Sequence, residues 1–336
     1  MRPRLLAVTG LGVAAAAPLA LGPASVALEQ MILAALYVIM ALGLNVVVGF
    51  AGLLDLGYVA FFAIGAHVSA HFGSAFWAGA SGGTGIHLDF LIILGLAIVA
   101  TATAAVLIGV PTLRLRGAYV GVVTLAFGEI VGQIVSNGRE ITFLGGSLTG
   151  GDAGMSAIDP IDLPFFGRFS PLDLRPWYWF ALALVAIMLF VTVRLRYSRA
   201  GRAWIALRED EEAAASAGVP IVRAKLMAYG VGGALGGVSG AVFASYQGSV
   251  NPSQFTFSFS ILILAMVVLG GVGSIPGVVA GAVILSALNN YLVPQVLDGV
   301  PGHLGLDFRL SQISPGIYGF LLVIVMLLRP QGLLRA

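Results

Sequence analysis

From residue 226 to residue 297 the chain carries no Asp, Glu, Lys or Arg. A single helix of those 72 residues would be more than three times as long as the roughly 30 Å hydrocarbon core of a bilayer, at about 1.5 Å per residue. The run must therefore be several membrane segments joined by short turns. Turn chemistry marks the breaks at 248–252, with Asn251-Pro252, and at 270–277, with Ser274-Ile275-Pro276. Shorter charge-free runs cover 5–28, 30–54, 56–88, 90–113, 176–193 and 310–328. Charged residues make up only 10% of the 336, against about 25% in a soluble domain. No soluble enzyme, disordered chain or nucleic-acid binder has that balance.

The runs predict an all-α fold: one polytopic transmembrane helix bundle occupying 1–336 as a single domain. About ten membrane segments are expected, near 5–22, 28–48, 56–78, 89–110, 117–137, 177–194, 225–246, 257–272, 276–294 and 314–328. The third and the eighth to ninth are Gly-rich and are expected to be broken or re-entrant. Cysteine is absent, which removes thiolate chemistry and disulfides. With a cytoplasmic N-terminus, 13 of the 17 Lys and Arg residues fall in inside loops and 4, Arg139, Arg168, Arg175 and Arg309, fall outside. The inside set includes Arg2, Arg4, Arg114, Arg116 and Arg335. The positive-inside rule then places both termini in the cytoplasm, in a multi-pass membrane protein. Arg2 and Arg4 followed by an apolar stretch and Ser25-Val26-Ala27 also fit a cleaved secretory signal. A retained first helix is the favoured reading, and both give the same later topology.

Two loops stand out. The external loop, 138–176, is Gly-rich at Gly145-Gly146, Gly150-Gly151 and Gly154 but lacks the Lys-Ser/Thr of a phosphate-binding loop. It is expected to be a flexible polar cap. The cytoplasmic loop, 195–224, holds a stretch of good helix formers over 202–217, stopped by Gly218 and Pro220. Trp204, Ile205 and Leu207 give that helix an apolar edge. Glu209, Asp210, Glu211 and Glu212, preceded by Arg208, give it an acidic turn. Helices that lie on anionic lipid carry Lys and Arg instead, so the expected partner is a protein.

Glu212-Ala213-Ala214, three residues and then Gly218 resemble the EAA loop of ABC importer permeases. The chain as a whole resembles the LivM-type permeases of branched-chain amino acid ABC importers, from about residue 30 onward. The carriers are Leu44-Asn45 with Gly49-Phe50-Ala51-Gly52-Leu53, the run Leu113-Arg114-Leu115-Arg116-Gly117-Ala118-Tyr119, and Thr124-Leu125-Ala126-Phe127-Gly128-Glu129-Ile130. Leu56-Gly57-Tyr58 through Gly65-Ala66, Thr149-Gly150-Gly151 with Gly154, the Gly201-Arg202-Ala203 to Gly218 loop, Gln247-Gly248 with Asn251-Pro252, and Val268-Leu269-Gly270-Gly271-Val272-Gly273-Ser274 complete them. Urea-type permeases share many of these features. His67 departs from the aromatic or small residue expected after Ile64-Gly65-Ala66.

The resemblance implies a permease subunit, not an enzyme, of a binding-protein-dependent importer that works by alternating access in a bacterial inner membrane. It implies a second homologous permease, two ABC ATPase subunits that bind the ATP, and an external solute-binding protein. No cofactor is expected in this chain and no nucleic acid as partner. The coupling helix that meets the ATPase would comprise Arg202, Trp204, Arg208, Glu211, Glu212, Ala213, Ala214 and Gly218.

Polar groups inside spans are expensive and mark partners, cavities or pathways. Asn45, Asp55, Glu129, Gln133 and Asn289 are accordingly candidates for the permeation path or for structural polar contacts. Glu129 is expected to be a structural acid paired between helices, and Asp55 an N-cap-like acid at the start of the third segment. A stand-alone transporter using Glu129 as proton carrier is the alternative of a different class. Gly232, Gly236 and Gly240 form one small-residue ladder, and Gly273, Gly277 and Gly281 a second, for helix packing or a hinge. His67 and His71 share a helix face at the spacing of metal ligands, but no carboxylate sits where it would complete a site. They are expected to be structural, and no metal site is anticipated. An intramembrane enzyme built on His67, His71 and Asp55 lacks a coherent constellation.

Overall fold

The computed structural model describes residues 18, 21–78, 83–113, 115, 117–143, 146–163, 167–297, 310–329 and 331–334. The expected segment 5–22 lies almost wholly outside them, as do Arg114, Arg116 and Gly145. The described residues form α1 (Val26–Leu44), α2 (Val59–Phe72), α3 (Phe90–Thr112), α4 (Ala118–Asn137), α5 (Arg175–Tyr197), α6 (Arg199–Glu209), α7 (Glu211–Ser216), α8 (Ile221–Gln247), α9 (Phe257–Gly270), α10 (Ile275–Ala287) and α11 (Ser314–Leu328). Two helices change pitch at their ends: α1 runs on as a π-helix over Asn45–Phe50 and α10 over Leu288–Leu297. Among the described residues seven helical stretches are long and apolar enough to cross a membrane, and Val59–Phe72 and Gly316–Leu328 are shorter apolar helices. The protein is a polytopic helical bundle.

Helix starts follow local chemistry. The Ser25 hydroxyl accepts from the Leu28 N–H at α1, and Ser198 accepts from Gly201 at α6. Pro176 and Pro276 sit in the first turns of α5 and α10, where their missing N–H is no loss.

At the centre is α8, packed against α1, α2 and α3. Its glycines let the backbones approach. A Cβ at Gly240 would stand 2.0 Å from the Phe62 carbonyl oxygen, and one at Gly237 would stand 2.2 Å from Thr101 Oγ1. Gly232 and Gly236 meet Val47 and Phe61 on the α1–α2 side, and the Tyr58 hydroxyl donates to the Gly232 carbonyl at 2.7 Å. In the second ladder Gly277 and Gly281 press on Gly270 and Met266 of α9. Gly273 is not part of that ladder. It sits in the turn between α9 and α10 with φ of 88°, because the two helices must reverse there within four residues.

The alternation of spans puts the short strands at one end of the bundle and α6 and α7 at the other. The strands come in four antiparallel pairs: 73–74 with 86–87, 142–143 with 146–147, 155–156 with 249–250, and 162–163 with 167–168. The loop 138–176 is thus tied down, not a loose cap. Asp159 N–H donates to Gly73 O at 2.7 Å, and Ile158 N–H to Gly248 O at 3.2 Å. These bonds use backbone groups that would otherwise need water.

Candidate functional site

The loop between α5 and α8 folds into two helices, not one over 202–217. Asp210 has an extended backbone (φ −157°, ψ 114°), ends α6 and caps α7, its carboxylate accepting from Glu212 N at 2.9 Å and Ala213 N at 3.0 Å. An acid in that position satisfies the free N–H groups of a new helix, so the acidic run is a break.

The apolar edge of α6 faces inward. Trp204 is fully buried and its indole N–H donates to the Ala224 carbonyl at 2.8 Å. Leu207 and Ala214 are buried too, whereas Ile205 is exposed. Most of the edge expected to meet a partner therefore fastens the loop to its own bundle. The outward side of the loop carries Arg202, Ile205, Glu209, Glu212, Ala213 and Gly218, and Arg202 donates to the Tyr197 carbonyl.

Polar links tie this loop to the spans. Arg208 donates through Nη1 to the Gly49 carbonyl, inside the π-helical end of α1. Lys225, at the start of α8, pairs with Glu211 at 2.7 Å. Within the same π segment Asn45 is fully buried, and its Oδ1 accepts from the Gly273 N–H at 2.8 Å. Arg208, Asn45 and Gly273 thereby connect α6, the end of α1 and the α9–α10 turn. Between α6, α7 and the connector 51–58 lies a cavity of about 540 Å³, with Leu53, Leu54, Val120 and Leu207 on its walls and Arg208, Asp210, Glu212 and Lys225 around it.

A second cavity, of about 260 Å³, opens near the strand end. Tyr37, Phe62, Phe243, Phe259 and Leu262 form its apolar wall, and Ser253, Gln254, Thr256, Ser258 and Asn289 its polar part. The rings pack edge to face or tilted, with centroids 5.2 Å apart for Phe62–Phe243 and 5.4 Å for Tyr37–Phe259. Among the described residues no Asp, Glu, Lys or Arg lines this cavity.

The remaining candidate residues are not brought together. Asp55 is buried in the connector, where its Oδ1 accepts from Gly57 N at 2.9 Å. It does not cap α2, whose first residue is preceded by Tyr58 without a side-chain cap. Glu129 and Gln133 lie on the exposed face of α4. Among the described residues Glu129 has no salt bridge, so the expected pairing between helices within the chain is not found; the helix presents Thr124 and Gly128 to its neighbours instead. His67 and His71 make hydrogen bonds with main-chain carbonyls: Ala63 at 2.8 Å for His67, and His67 and Leu148 at 2.6 Å and 2.8 Å for His71.

Sequence reasoning missed the Lys225–Glu211 pair and the Asn45–Gly273 bond. One signal was available for the first: Lys225 is the sole lysine of the chain and opens its longest uncharged run. The second had none, since the residues are 228 positions apart.

The family described as "branched-chain amino acid transport system / permease component" matches residues 26–328. The chain is 38% identical to the high-affinity branched-chain amino acid transport system permease protein LivM of Salmonella typhimurium, over 99% of this chain and 75% of that protein. It is 40% identical to the LivM protein of Escherichia coli, over 89% of this chain and 68% of that one. A weaker likeness, 29% over 51% of this chain and 49% of the relative, connects it to the permease protein LivH of Salmonella typhimurium. No solved structure matches the chain.

Proposed function

Because the chain belongs to the family of branched-chain amino acid transport system permease components, we propose that it is the membrane-spanning subunit of a binding-protein-dependent ABC importer for branched-chain amino acids. Solute crosses by alternating access, and the energy comes from ATP bound by separate subunits. The observation that carries this reading is the two-helix loop α6–α7. Trp204, Arg208 and Lys225 fasten one side of it to the spans, while Ile205, Glu212, Ala213 and Gly218 lie on the outer side. A stand-alone carrier has no use for such a lever; a subunit pushed from the cytoplasm does.

In this reading two ATPase subunits dock on the outer side of α6–α7, a second related permease completes the pore, and a soluble binding protein meets the strand end. The protein sits in the bacterial inner membrane with both termini in the cytoplasm. The aromatic wall of the cavity at the strand end supports an aliphatic solute over urea. The test is reconstitution of the chain with its ATPases and second permease in proteoliposomes, with loaded binding protein outside. Leucine uptake that needs ATP inside is expected, and Ala213→Arg should abolish both ATPase co-purification and uptake. Uptake driven by a proton gradient without ATPases would overturn the reading, and transport of urea in place of leucine would overturn the substrate.

A further inference from the structure

We infer that the exposed face of α4, centred on Glu129, is a wall of the solute passage. The inference rests on the permease reading above, in which a second permease chain lies across the passage. It starts from depth. α4 is 20 residues long, about the thickness of the hydrocarbon core, and Glu129 is its twelfth residue. Among the described spanning helices no other Asp, Glu, Lys or Arg lies so far from an end.

One side of α4 is packed within the chain. Gly121 meets Leu54, Thr124 Oγ1 accepts from Leu56 N at 3.0 Å, and Gly128 abuts Gly57. The other side carries Val122, Ala126, Glu129, Ile130, Gln133 and Ile134, all exposed. A carboxylate there cannot be left in lipid. Its two-methylene stem is too short to carry the charge to the interface as Lys or Arg stems do. The exposed face of α3 is what a lipid-facing helix looks like: Leu91, Val99 and Leu107 are outermost, and the hydroxyl of exposed Thr103 donates to its own helix at Val99.

A dry protein interface would hold the charge only against a partner cation. The surroundings point to water instead. Gln133, one turn from Glu129, is exposed beside it, and Gly132 on the same turn lies next to the Phe255 carbonyl. The segment around Phe255 supplies Gln254, Thr256 and Ser258 to the outer cavity. The turn of α4 that carries Gln133 thus adjoins the segment that lines that cavity. A zwitterionic amino acid leaving the aromatic cavity meets a carboxylate that suits its ammonium group.

The chain has no cysteine, so single cysteines report cleanly. Ala126→Cys and Gln133→Cys in the assembled importer should react with a membrane-impermeant, charged thiol reagent, and reaction should stop leucine uptake. Val99→Cys on α3, buried in lipid, should stay unreactive. Glu129→Gln, which keeps shape and loses charge, should lower the uptake rate at saturating loaded binding protein without loss of assembly. Labelling at 126 and 133 no faster than at 99, in an importer that takes up leucine, overturns the inference. Unchanged uptake in Glu129→Gln removes the carboxylate from the passage. An importer that takes up no leucine before modification would instead count against the permease reading itself.

Discussion

The Nζ of Lys225 stands 2.7 Å from Oε1 of Glu211, with the lysine side chain 5% exposed and the glutamate 34%. The pair bolts α7 to the N-terminal end of α8. Its two ends are not equivalent. Glu211→Ala leaves a buried ammonium without its counter-charge and should destabilise the protein by about 1–3 kcal/mol. Lys225→Met leaves a glutamate that water can reach, and should destabilise less. Thermal unfolding of the purified protein in detergent checks the order; no loss in Glu211→Ala would show that the carboxylate supplies nothing.

Arg208 reaches from α6 to the Gly49 carbonyl in the π-helical end of α1, and Asn45 of that segment holds Gly273. A push on α6 therefore acts on two spans through one guanidinium. Arg208→Ala should leave ATPase association in place but lower leucine uptake per ATP hydrolysed. Arg208→Lys, with a shorter reach, should recover part of it. Reconstituted vesicles give both rates at once.

Gly218 has φ of 84° and nothing within 4 Å of a built Cβ. Any penalty for a side chain there comes from the backbone alone, roughly 1–2 kcal/mol for a left-handed residue. Gly218→Val should therefore disturb the path from α7 back to α8 and weaken ATPase co-purification. Gly218→Asn, which tolerates that conformation, should be milder. Equal effects would point to a contact at the position in place of strain.

At the opposite end His87 is raised above its ordinary pKa, chiefly by its hydrogen bond and charge pairing with Asp159, which also lies 3.8 Å from Arg168. A raised pKa means the protonated form is favoured in the folded state. The tie is fully present below the unfolded-state value and is lost as pH rises through the folded-state value. Hydrogen exchange around 73–74 and 86–87 should then quicken from mildly acidic to alkaline pH beyond the intrinsic trend. His87→Ala should abolish that dependence.

The spans were legible because uncharged length is a local property. The run 226–297 had to be three segments whatever they packed against, and its breaks at Asn251-Pro252 and Ser274-Ile275-Pro276 are where α8, α9 and α10 end or begin. The stop at Gly218 and the first-turn prolines are equally local. The loop 195–224 could be singled out for its charge, and its helical character read from its residues.

Orientation was not legible, and the reason is physical. A helix apolar on all sides shows no face in its sequence, since lipid and protein interior look alike to it. Only packing turned Trp204 inward to Ala224, left Glu129 on the open side of α4, split the loop at Asp210, and paired Lys225 with Glu211. By itself the sequence determined that the chain is a polytopic helical bundle and which loop bears its charge. The tertiary structure decided which side of each helix is closed against its own chain and which is left open, because that choice belongs to contacts between residues such as Asn45 and Gly273 that the chain brings together only on folding.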